Sequence, residues 1–158
     1  MEEQQYNATD IEAFVARFYQ GRSMSIVPYG YNLTFLALAQ NGVATQTLNI
    51  TANADFMLLA LRHRANISAA QQTATKTAPF VRCLITDSGS NEQFTNAAVD
   101  LENYSSNGQG VSRDLRYPRI ISGRSTLTVQ MTNFAPTAET YAVLDLFLEG
   151  VLIRAYQG

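Results

Sequence analysis

From about residue 22 onward the chain reads as short stretches of apolar alternation at every second residue, punctuated by turn residues and without a helical period between them. Parallel sheets need crossover connections, usually helices, so the pattern excludes a doubly wound α/β fold and leaves antiparallel sandwiches and barrels. The expected fold class is all-β: an antiparallel, jelly-roll-like β-sandwich of about eight or nine strands with a short N-terminal helix. The expected organisation is an N-terminal arm over residues 1–21 and a β-sandwich domain over residues 22–158.

The arm carries the helix. Thr9 and Glu12 have the spacing of a capping box, with Thr9 as N-cap and Glu12 three residues on. Ile11, Phe14, Val15 and Phe18 form one apolar stripe, and Gly21 is the expected C′ residue. A helix this short needs something to pack on, its own sheet or a neighbouring subunit.

Strands are expected over 23–29 and 31–40, interrupted at Pro28 and Gly30. Asn41-Gly42 is the strongest hairpin turn signal. A strand over 43–50 follows, with Val43, Thr45 and Thr47 on one side. Residues 54–63 are apolar on both faces, which marks a central, buried strand: Phe56, Leu58 and Ala60 alternate with Met57, Leu59 and Leu61. Residues 64–77 read as a surface loop, 79–87 as a strong strand, 87–91 as a turn, 94–103 as a weaker strand and 105–113 as a long loop. The stretch around Tyr117-Pro118 is extended. Residues 125–133 place Leu127, Val129 and Met131 on one face. Residues 139–156 read as two strands around Glu149-Gly150, with Leu144, Leu146 and Leu148 opposing Val143, Asp145 and Phe147.

Composition narrows the function classes. Charged residues make up only 15% of the chain and the net charge is −2, which argues against disorder and against a nucleic-acid binder with a basic face. One histidine (His63) and one cysteine (Cys83) rule out an intrachain disulfide and the usual zinc clusters. The acidic N-terminus is unlike a secretory leader, and no apolar run is long enough for a transmembrane helix, so the expectation is synthesis in a cytoplasm and no membrane anchor. The basic residues are ten Arg against one Lys, Lys76. Arg is enriched and Lys depleted at protein interfaces, so this balance suits a surface shared with partners.

Catalytic constellations are sparse. His63 lies between Arg62 and Arg64 with no nucleophile elbow in the chain, and Cys83 sits in an apolar strand, where a thiol packs as a small hydrophobe. Asp100 and Glu102 would share one face of a strand, so a two-carboxylate hydrolase is one reading. The five Asn-x-Ser/Thr sequences, at Asn7, Asn32, Asn49, Asn66 and Asn103, reflect the abundance of these residue types. The densest charged cluster is Arg113-Asp114-Leu115-Arg116-Tyr117-Pro118-Arg119, read as a subunit-interface or salt-bridge cluster in which Asp114 can accept paired hydrogen bonds from Arg.

Arg116-Tyr117-Pro118-Arg119-Ile120-Ile121, Gly123-Arg124-Ser125-Thr126-Leu127, Val129-Gln130-Met131-Thr132-Asn133 and Leu146-Phe147-Leu148-Glu149-Gly150 together resemble the back half of small β-sandwich virion proteins of tailed bacteriophages. Leu48-Asn49-Ile50-Thr51-Ala52-Asn53-Ala54-Asp55-Phe56 resembles their upstream strand pair, so the resemblance covers roughly residues 45–155. It implies a capsid decoration, cement or head–tail accessory protein in the virion, present in many copies and commonly trimeric. The implied partners are the major capsid protein or other virion proteins and further copies of the chain as a homo-oligomer, with no nucleic acid and no membrane. It brings no catalytic residues, cofactor or metal. The candidate interface residues are Ile11, Phe14 and Phe18 on the helix and Arg113, Arg116, Arg119 and Arg124 beyond it. The rival readings are a carbohydrate-binding or tail/neck accessory module, for which the eight tyrosines are the resource, and the two-carboxylate hydrolase.

Overall fold

The computed structural model describes residues 6–66, 79–103, 114–136 and 138–155. Most of the loops expected over 64–77 and 105–113 lie outside the described residues. One helix, α1 (Ala8–Phe18), precedes nine strands: β1 (Met24–Leu38), β2 (Val43–Asn49), β3 (Asp55–Asn66), β4 (Val81–Asp87), β5 (Glu92–Gln93), β6 (Val99–Asp100), β7 (Asp114–Ile121), β8 (Thr126–Asn133) and β9 (Tyr141–Ala155).

The strands form two antiparallel sheets. One has the order β1-β9-β3-β7, and the other β2-β8-β4-β5, with β6 also on β4. Successive strands β1 to β4 alternate between the sheets, as do β7, β8 and β9. This interleaving is that of a jelly-roll sandwich. Between the sheets lies one continuous core, built from Phe35, Phe56, Leu58 and Leu61 on one side and Val81, Ile85, Leu127, Val129 and Met131 on the other. The alternation expected in β8 holds: Leu127, Val129 and Met131 are fully buried. In β9, Leu144, Leu146 and Leu148 enter the core while Asp145 and Phe147 face outward.

Several boundaries differ from the sequence expectation. The strands expected on either side of Pro28 and Gly30 are one strand. β1 is the edge of its sheet, and Gln46 Nε2 donates to the Thr34 carbonyl, so residues in phase with Thr34 turn their backbone groups away from β9. Pro28 is in that phase, and its missing N–H breaks no ladder bond. The two strands expected around Glu149-Gly150 are likewise one, β9. Gly150 is not a turn residue; a Cβ there would lie 1.9 Å from the Met57 carbonyl oxygen of β3, so glycine is required by close backbone approach.

Asn41-Gly42 does not close a hairpin. The turn carries the chain from one sheet to the other, with Asn41 at φ 60°, Gly42 N–H donating to Ala39 O at 2.8 Å and Asn41 N–H to Asn133 O at 2.8 Å. The weak strand expected over 94–103 reduces to β6 and a 3-10 turn, Leu101–Asn103. Asp100 and Glu102 therefore do not lie along one strand face, and Asp100 faces Arg82 at 3.6 Å. In β3 a bulge at Leu59 shifts the register, so Phe56 and Leu58 point to the core before it and Leu61 after it.

The helix is capped two residues earlier than expected, by the same chemistry. Asn7 Oδ1 accepts from Asp10 N–H at 2.8 Å, and Asn7 N–H donates to Asp10 Oδ2 at 3.3 Å. At the other end Gln20 (φ 55°) takes the C′ position and Gly21 (φ 77°) the next, with Gly21 N–H donating to Ala16 O at 2.8 Å in a Schellman arrangement. α1 lies on the outer face of the β1-β9-β3-β7 sheet. Val15 and Tyr19 are buried there with Met57, Val151 and Ile153, and Ile11 and Phe14 pack partly buried against them.

Candidate functional site: an aromatic groove at the sheet edge

Among the described residues no group of three or more His, Cys, Asp or Glu side chains is placed to hold a metal ion, and no helix is long and apolar enough to cross a membrane. His63 is buried on β3, and Cys83 is fully buried in the core on β4, where it packs as a small apolar side chain. Asp87 is buried at the end of β4, and both its oxygens are engaged: Oδ1 accepts from Gly89 N–H at 2.9 Å and Oδ2 from Ser90 Oγ at 3.0 Å. It shapes the expected turn rather than offering a free carboxylate.

A groove of about 530 Å³ beside β7 is lined by three of the predicted interface residues, Phe14, Phe18 and Arg119. Phe14 and Phe18 of α1 form one wall, Tyr117 and Arg119 of β7 the floor, and Glu92 of β5 with Phe94 and Thr95 just after it the far side. The aromatic wall is ordered ring against ring. Phe14 and Phe18 stack at 6.3 Å between centroids, and Tyr117 meets Phe14 edge-on at 5.4 Å. Such geometry adds about 0.5–1.5 kcal/mol per pair beyond area burial. Phe18 is nevertheless 53% exposed and Tyr117 73%. Large apolar side chains left in water beside one another, within a groove, occur at both protein-contact and ligand-binding surfaces.

Arg119 anchors the groove. Its guanidinium lies 4.3 Å from the Phe94 ring centroid, and Nη2 donates to Glu92 Oε2 at 3.1 Å. Glu92 lies in β5 of the opposite sheet and Phe94 directly follows it, so Arg119 ties β7 to that edge. Each contact is solvent-accessible and contributes at most about 1 kcal/mol. Their combined effect is to hold the guanidinium in one orientation. The arm is tied to the same strand through Tyr6, whose hydroxyl donates to the Leu115 carbonyl.

The predicted interface residues thus divide. Phe14, Phe18 and Arg119 come together at the groove. Ile11 instead faces the sheet under α1, so part of the helical stripe is core to this chain's own fold. Arg113 lies outside the described residues, and Arg116 is described by its backbone alone, within β7. Arg124 stands beyond the end of β7 and lines a different cavity. Sequence reasoning included Tyr117 only as part of the charged cluster over residues 113–119 and passed over Glu92 and Phe94. Tyr117 carried one signal, an aromatic between Arg116 and Pro118 in an extended stretch, whereas Glu92 and Phe94 reach the site only through the packing of the two sheets.

No protein-family model matches the chain, and no curated protein sequence matches it.

Proposed function

We propose that the protein is a structural component of a bacteriophage virion: a capsid decoration or cement protein that binds and stabilises neighbouring capsid subunits. The observation that carries the reading is the groove, where Phe14, Phe18 and Tyr117 stand exposed beside the anchored Arg119. Aromatic residues and Arg are the side chains enriched at the energetic centres of protein interfaces. The ten-to-one excess of Arg over Lys and the low charge suit a surface covered by neighbours. Jelly-roll sandwiches also serve as building blocks of viral capsids, a likeness of fold that supports the reading without establishing it. The mechanism is binding without catalysis. A specific contact buries about 1,200–2,000 Å², and repetition of that contact around a shell multiplies its strength. Its partners are the major capsid protein and further copies of the chain, as a homotrimer.

The test is copy number, by quantitative mass spectrometry of purified particles from the source. Copies comparable to the major capsid protein are expected. A handful of copies would move the protein to the neck or tail and overturn the decoration role; absence from particles would overturn the virion reading altogether.

One observation favours a second reading, a carbohydrate-binding module. Tyr117 presents a largely exposed ring in a groove also lined by Ser90, Glu92 and Thr95, which combines a stacking platform with hydrogen-bonding groups. Binding in a millimolar saccharide screen, lost in Tyr117→Ala, is the result this reading requires.

A further inference from the structure

A second cavity, of about 490 Å³, opens where the end of α1, the loop before β3, the β7–β8 turn and the end of β9 meet. Three arginines from three separate parts of the chain line it: Arg22, Arg124 and Arg154. The lining includes one carboxylate, Asp55, and both its oxygens are engaged. Oδ2 accepts from the Tyr19 hydroxyl at 2.7 Å and Oδ1 from Gly123 N–H at 2.8 Å. Among the described residues no ion pair joins any of the three arginines to a carboxylate. Arg22 Nε donates at 3.4 Å to the Tyr19 carbonyl, which carries no formal charge. Among the described residues that line the cavity, three carry a positive formal charge and one a negative.

The backbone at Arg124 is a second, independent observation. The turn of residues 122–125 is closed by Ser125 N–H donating to Ser122 O at 3.2 Å, and Arg124 occupies its third position with φ 69°. That position favours Gly or Asn, because a Cβ is strained at positive φ. The glycine stands one place earlier instead, at Gly123, where a Cβ would lie 2.7 Å from the Ala54 carbonyl oxygen. The chain therefore holds a long cationic side chain in a strained conformation on the rim of a cavity already lined by two others. Strain of this kind is found at ligand clamps as well as in turns, and here it falls on a cationic residue.

We propose that this cavity is an oxyanion-binding site, in which the guanidinium groups of Arg22, Arg124 and Arg154 grip a phosphoryl or carboxylate group. The planar fork of guanidinium matches both oxyanions through paired, charge-assisted hydrogen bonds. The site is independent of the aromatic groove and of the virion reading.

The experiment is isothermal titration of the full chain with sodium phosphate and, separately, sodium succinate, each against sodium chloride at matched ionic strength. Saturable binding of one of the two is expected, and which of them binds more tightly identifies the group as phosphoryl or carboxylate. Arg124→Gly removes one guanidinium and relieves the backbone, so it is expected to bind about tenfold more weakly while unfolding at an equal or higher temperature. Arg154→Gln is expected to weaken binding similarly without touching the turn. Binding no stronger than chloride for both anions overturns the proposal, as does wild-type affinity in both variants.

Discussion

The Tyr19 hydroxyl donates to Asp55 Oδ2 at 2.7 Å and so ties the C-cap of α1 to the first residue of β3. Asp55 Oδ1 extends the tie to the β7–β8 turn through Gly123 N–H at 2.8 Å. One carboxylate thereby joins the arm, a central strand and a turn. Tyr19→Phe keeps the ring packed and removes one hydrogen bond to a charged group, and is expected to cost about 1–2 kcal/mol in chemical denaturation.

The same pair gives the protein an alkaline limit. Burial, then the hydrogen bond to Asp55 and its negative charge, hold the Tyr19 hydroxyl well above its ordinary pKa of 10.0. The native state therefore keeps this proton where the unfolded chain has lost it. The contribution is complete below about pH 10 and declines as pH rises above that value toward the folded pKa. Tyr141 is shifted in the same direction, chiefly by burial, although the Phe80 N–H donating to its oxygen at 2.8 Å opposes the shift. Thermal unfolding from pH 8 to 11 is expected to show a fall in stability above about pH 10 that is shallower, not abolished, in Tyr19→Phe. An unchanged slope in that variant would refute the assignment.

Two glycines of paired edge and central strands separate by what lies over them. At Gly150 a Cβ would meet the Met57 backbone carbonyl at 1.9 Å, and neither β9 nor β3 can yield without breaking the ladder beside the Leu59 bulge. At Gly30 it would meet the Phe147 ring at 2.3 Å, the far end of a side chain on the sheet's outer surface that is free to swing outward. Gly150→Ala is expected to cost about 3 kcal/mol or more, and Gly30→Ala about 1 kcal/mol. Urea midpoints for the two variants, compared under one condition, test the ordering.

The residues that misled the sequence reading are those whose meaning depends on a distant partner. Leu127, Val129 and Met131 announce their face through period alone, because one face of β8 is buried along its length. Pro28 reads as a break until β1 is known to be an edge, and Gly150 reads as a turn until Met57 is known to lie against it. Asn41-Gly42 marks a turn correctly, but the two strands it joins pair with β9 and β8 rather than with each other. The groove shows the same limit. Phe14 and Phe18 were legible as one helical stripe, whereas their meeting with Tyr117, Arg119 and Phe94 is a product of topology.

The groove can be tested without a partner in hand. Phe18 and Tyr117 are largely exposed, so Phe18→Ser with Tyr117→Ser gives up little buried area but loses both ring pairs with Phe14, and is expected to cost about 1–3 kcal/mol in folding stability. If the groove is a contact surface between subunits, the same pair of changes removes the aromatic anchors of that contact. Light scattering across a concentration series is expected to show a trimer for the wild type and a monomer for the double variant. A wild-type monomer at every concentration would defeat the homotrimer.

Asn133 is fully buried at the end of β8 and is satisfied three times over. Its Nδ2 donates to Leu38 O at 3.1 Å and to Glu139 O at 2.9 Å, and its Oδ1 accepts from Ala135 N–H at 2.9 Å. Those partners lie at the end of β1, before β9 and just after β8, so one amide fastens three segments where the two sheets meet. Asn133→Ala would orphan three backbone groups at once and is expected to cost about 3 kcal/mol or more. Asn133→Asp separates shape from donor capacity. It keeps the size and the acceptor toward Ala135, but an ionised carboxylate has no proton for Leu38 or Glu139 and would face both carbonyl oxygens with a negative charge. At neutral pH it is expected to be at least as damaging as alanine, and to recover stability as pH falls far enough to protonate the carboxyl and restore one donor. Denaturation of the wild type and both variants at pH 7 and pH 5 reads this directly: a gain on acidification confined to Asn133→Asp is the expected result, and an equal response in all three would show that the donated hydrogen bonds are not what holds this corner.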